Sequence, residues 1–108
     1  MIRAISFYEK VFNIKIERVT MLDTELGIFP SEKQVTNIVL AKGSDYKPSA
    51  DGVVIYLSME NDLQPVLGLV EANGGKIIVP KSEISPEMGF YALFLDTEGN
   101  RIGLHSRE

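Results

Sequence analysis

One phrase is written twice in this chain, as "FYEKVFNIKIERV" and again as "LGLVEANGGKIIV". Each reads as the end of an amphipathic helix, a turn at Asn or Gly-Gly, and a β-forming run. The repeat constrains the fold more than any other feature. A unit of about 50 residues buries too little surface to be stable alone, so two such units in 108 residues should share one domain. The half-repeats run about 1–50 and 51–108. Between them, "AKGSDYKPSADG" is the one long connector, rich in Gly, Ser, Pro and Asp.

The remaining elements follow from periodicity. "RAISFYEKVF" sets Ala4, Ile5, Tyr8, Val11 and Phe12 at helical spacings, with Asn13 as the stop. "IKIERVTM", "ELGIFP" and "VTNIVLA" are strand candidates, and "PSEKQ" a turn behind Pro30. "VVIYLSM" opens the second half as a strand. "NDLQPVLGLVEANGG" is then a helix, capped at Asp62, with Pro65 in its first turn and a stop at Gly74–Gly75. "KIIVP", "FYALFLD" and "RIGLHS" are strands, the last two joined by a turn containing Gly99 and Asn100. The second half therefore runs strand, helix, strand, strand, strand. The first lacks only the opening strand.

Composition removes several functions. A net charge of −4 with scattered Lys and Arg argues against a nucleic-acid surface. With no cysteine there is no thiolate nucleophile, iron–sulfur cluster, thiolate zinc site or disulfide. No stretch approaches a membrane span or a signal-peptide core. The expectation is a soluble, cytoplasmic protein.

"RAISFYEKVF", "GGKIIVPK" and above all "GFYALFLDTEGNRIGLHS" resemble the vicinal oxygen chelate superfamily, that of glyoxalase I, bleomycin-resistance proteins and extradiol dioxygenases. The resemblance implies an α+β fold of two βαβββ half-domains, a cupped mixed sheet with helices outside, here without the first strand. It also implies that a partner strand, and hence a homodimer, covers the exposed edge. Catalytic relatives hold a divalent metal with four side chains. The resemblance puts the fourth, a glutamate, where this chain has Gly103. The third falls among Val53, Val54 and Ile55, the second around "NIVLA", and the first on the strand that is missing. No metal or other cofactor is therefore expected.

Alternation predicts what lines the cup instead. Pairing Asp96 with Arg101 sets Leu95 opposite Ile102 and Leu93 opposite Leu104, an aliphatic face for the helices. Ala92, Phe94, Gly103 and His105 then look into the cup. In "VVIYLSM", Ile55 and Leu57 turn to the helices, while Val54, Tyr56 and Ser58 turn inward. The expected ligand-binding set is Val54, Tyr56, Ser58, Phe94, Gly103 and His105. His105, the single histidine, and Tyr56 are the acid–base candidates if there is catalysis. Asp96 and Glu98 in "DTEGN" are explained by turn geometry. The expected function is metal-free binding of a small molecule. The alternative is a lyase, isomerase or dioxygenase-type enzyme acting on a small carbonyl or aromatic compound.

Overall fold

The computed structural model describes residues 1–30, 38–44 and 46–108. The turn expected at "PSEKQ" and the start of "VTNIVLA" lie outside the described residues. The fold is α+β, in two compact units, Met1–Lys47 and Pro48–Glu108.

In the first unit, helix α1 (Ile2–Phe12) buries Ala4, Ile5, Phe7, Tyr8 and Val11. Asn13 ends it in a left-handed conformation, φ 54°, which Asn tolerates better than most side chains. Strands β1 (Glu17–Met21), β2 (Thr24–Ile28) and β3 (Val39–Lys42) form an antiparallel sheet in the order β1-β2-β3. The helix lies close over β2 at Gly27, where a Cβ would stand 3.1 Å from side-chain atoms of both Ile5 and Ile16. The Tyr8 ring stacks on Phe12 and meets Phe29 at 5.7 Å. β3 pairs with β2 alone among the described residues.

The second unit has the order strand, helix, three strands. β4 (Ile55–Ser58) is followed by α2 (Gln64–Leu67), a 3-10 turn (Glu71–Asn73), β5 (Lys76–Ser85), β6 (Gly89–Leu95) and β7 (Arg101–Ser106). The sheet order is β4-β7-β6-β5, with β4 parallel to β7 and the other pairs antiparallel.

The long helix expected at residues 61–75 is shorter and changes pitch. Leu67 and Gly68 donate to the carbonyls four residues back, but Leu69 and Val70 donate to those three back. Gly68 offers the helix no side chain to pack, and tightening keeps Leu63, Leu67 and Val70 all buried. The end is as expected. Gly74, at φ 99°, donates to Glu71, and Gly75 to Val70, the paired bonds of a Schellman stop.

β5 also runs past Pro80, where "KIIVP" suggested an end. It is an edge strand, and its register shifts between Val79 and Ser82. A bulged edge tolerates the N–H that proline lacks. Beyond it, Lys81 Nζ reaches Asp62 Oδ1 at 2.6 Å and lies 4.5 Å over the Phe90 ring. The Lys81 hydrogen bond, with a second from Gln64 N–H, holds the Asp62 carboxyl below its ordinary value.

Candidate functional site

The β6–β7 hairpin decides which side chains meet, and its register differs by one residue from the expected pairing. Leu95 lies opposite Arg101, Phe94 opposite Ile102, Leu93 opposite Gly103, Ala92 opposite Leu104 and Tyr91 opposite His105. The cause is the loop. Asp96 N–H donates to Asn100 O, Gly99 N–H donates to Asp96 O, and Gly99 takes φ 90°. This is a three-residue loop with a left-handed glycine bulge, one residue shorter than the four-residue turn that pairing Asp96 with Arg101 requires, so Asn100 joins the β7 side of the ladder. Asp96 is buried inside it, where its carboxylate accepts from Glu98 N–H and from both nitrogens of Asn100. "DTEGN" is a turn, as its composition suggests.

A one-residue slip turns one whole strand over. Ser106 Oγ accepts a hydrogen bond from Leu63 N–H, so its face of β7 is the one beneath α2. That face carries Ile102, Leu104 and Ser106, and opposite them Phe94, Ala92 and Phe90. The open face carries Arg101, Gly103 and His105, with Leu95, Leu93 and Tyr91. The pairing Leu93 with Leu104 is therefore corrected, and so is Phe94 as a ligand-facing residue. Phe94 is 0% exposed in the helix-side core, on the face opposite His105. Ala92 goes with it.

The β7 and β4 expectations hold their positions. β4 pairs with β7 so that Ile55 and Leu57 lie beside Ile102 and Leu104, and Tyr56 and Ser58 beside Gly103 and His105. Val54 lies just ahead of β4 and is half-buried. Tyr56, Ser58, Gly103 and His105 therefore share one face, and Tyr91 and Leu93 join them across β6.

Two contacts shape this face. The Tyr56 ring lies directly over Gly103: a Cβ there would be 2.5 Å from Tyr56 Cδ2 and 2.8 Å from Cγ. Tyr56 is nonetheless 49% exposed, so the ring has one face on the backbone and one open. His105 Nε2 lies 2.6 Å from Met88 O in the β5–β6 turn. A carbonyl only accepts, so Nε2 is the donor in this contact. Met88 itself is exposed.

These residues do not fit a divalent ion of the superfamily kind. The resemblance sets the superfamily's glutamate at Gly103, and the Tyr56 ring fills the space that a side chain there would need. Among the described residues no three His, Asp or Glu side chains converge as ligands. No described helix is long and apolar enough to cross a membrane.

A mixed sheet built from a strand-helix-three-strand unit, preceded by a helix and three strands, defines a class, and the comparisons agree on it. The family model described as Glyoxalase/Bleomycin resistance protein/Dioxygenase superfamily matches residues 1–104. The chain belongs to that superfamily. Among solved structures, it is similar to a glyoxalase/bleomycin resistance protein from Albidiferax ferrireducens at 15% identity and TM-score 0.76, covering 100% of this chain and 90% of that one. A glyoxalase-related enzyme from Fulvimarina pelagi gives 13% identity and TM-score 0.70 over 98% of this chain and 79% of that one. A glyoxalase I mutant from Zea mays gives 18% identity and TM-score 0.71 over 97% of this chain, which spans only 42% of the maize chain. At these identities the likeness is one of fold. No curated protein sequence matches.

Arg101 is the open-face residue that sequence reasoning missed. The signal was present, because Arg101, Gly103 and His105 alternate along one strand. Arg101 reads as the first residue of that strand but is left out of the expected ligand-binding set.

Proposed function

We propose that this chain is a small-molecule-binding member of the superfamily that works without the superfamily metal, with the open face of the second sheet as its binding surface. The observation carrying this reading is the Tyr56 ring seated on Gly103. It replaces a would-be ligand carboxylate with a flat aromatic platform. Leu93 and Tyr91 extend the surface as apolar and aromatic neighbours, and Ser58 and His105 Nδ1 offer a hydroxyl and a ring nitrogen. An apolar face with a few convergent polar groups suits a small aromatic or amphipathic molecule. Stacking on an aromatic ring contributes about 0.5–1.5 kcal/mol beyond area burial. The expected result is that Tyr56→Ala weakens binding of a neutral aromatic probe, benzamide, by roughly tenfold. Chemical-shift titration of the labelled protein measures it. Unchanged affinity in that variant would dismiss the platform.

The reading extends to a cytoplasmic homodimer. A cysteine-free chain suits a reducing compartment. β3 offers an edge with no partner among the described residues, and Val39 on it is 48% exposed. In the second unit the corresponding edge, that of β7, is covered by β4. An uncovered edge is a template for pairing. Sedimentation velocity at low micromolar concentration should give a dimer, and Val39→Lys should return it to a monomer. A wild-type monomer would remove this part of the proposal.

A further inference from the structure

We propose that the open face of the second sheet selects a small planar carboxylate, with the Arg101 guanidinium as its anchor and Tyr56 as its stacking platform. This rests on the binding reading above and names the ligand class it leaves open.

Arg101 lies on the open face by register, opposite Leu95 and two residues from Gly103. Its Nε is buried and has no hydrogen-bond partner among the described residues. The residue as a whole is only half-buried. Among the described residues no carboxylate bonds this Nε: Glu98, the nearest acid in sequence, accepts from Thr97 Oγ1, and Asp96 is turned onto the loop's own N–H groups. A charged N–H removed from water without an acceptor is costly, and the cost is relieved when an anion supplies one.

The same row of the sheet adds a second cation. Lys76 lies opposite Leu95 on β5, so Lys76, Leu95 and Arg101 form one line across three strands. No acidic side chain occupies a paired position in that row. The next rows are apolar and aromatic: Leu93, Gly103 under Tyr56, then Tyr91 and His105. Positive charge therefore sits at one end of a flat, uncharged surface. A carboxylate on a planar body matches that layout, because a guanidinium holds it through two parallel hydrogen bonds while the body lies on the ring. His105 is two strand steps from Arg101, about 13 Å along β7, so a small ligand held at Arg101 lies over Tyr56.

Benzoate and its neutral isostere benzamide separate the two layers of the argument. With the full chain labelled in nitrogen-15, both should shift the amides of Tyr56 and Gly103. Benzoate alone should shift the Arg101 Nε–H, and it should bind about tenfold or more tightly than benzamide. Arg101→Gln should abolish that preference and leave benzamide binding unchanged. If this variant does not fold, Arg101→Lys, which keeps the charge but not the planar fork, should weaken benzoate and spare benzamide. Equal binding of both probes, with either Arg101 variant unaffected, overturns the carboxylate assignment and leaves the binding reading intact. Failure of both probes to perturb this face overturns both.

Discussion

Phe94→Ala should lower stability by about 3–5 kcal/mol, the range for truncating a buried aromatic, whereas Leu93→Ala should lower it by roughly 1 kcal/mol. The two are neighbouring large apolar residues on β6 that occupy opposite faces. Phe94 is fully buried opposite Ile102, and Leu93 lies half-buried on the open face opposite Gly103. Had Asp96 paired with Arg101, the order of the two losses would be reversed. Chemical denaturation of both variants therefore reads the register directly. At about 4–8 °C per kcal/mol for a domain near this size, the midpoints separate clearly. The register in turn decides the site. With Phe94 in the core, the open face presents Leu93 and Tyr91 beside Gly103 and His105.

Gly89→Ala should be nearly as damaging, with an expected loss of about 3 kcal/mol or more. Gly89 begins β6 at φ 88°, where a side chain alone costs about 1–3 kcal/mol. The space is also taken: a Cβ would stand 2.3 Å from Ser106 O and 2.7 Å from Arg107 Cα. Both are backbone atoms at the end of β7, so relief requires the strand end to move. That movement would reach Ser106, which holds the Leu63 N–H over the sheet, and His105, whose Nε2–H is fixed by the carbonyl of adjacent Met88. Thermal unfolding should show the loss, and the imidazole nitrogen shifts should show His105 Nε2 released from its hydrogen bond to Met88 O. Wild-type stability together with wild-type ring shifts would mean that the β5–β6 turn does not hold the histidine.

The sequence carried the elements and their order, because each rests on local chemistry. Helix α1 shows in the spacing from Ala4 to Val11, its end in Asn13, the second stop in Gly74–Gly75, and the strands in runs of branched and aromatic residues. The faces of β4 and β7 were equally readable, since alternation is a property of one strand at a time. What the sequence could not set was how strands meet. The left-handed conformation of Gly99 and the backbone bonds of Asp96 shifted the hairpin by one residue, moving Phe94 into the core and bringing Leu93 to the site. The seat of the Tyr56 ring on Gly103 and the Met88 carbonyl on His105 are contacts between residues 47 and 17 positions apart, and Arg101 Nε lacks a partner among the described residues. Side-chain period is a local quantity and register a tertiary one, so the sequence determined which faces exist and the tertiary structure alone decided which residues share the face proposed to bind.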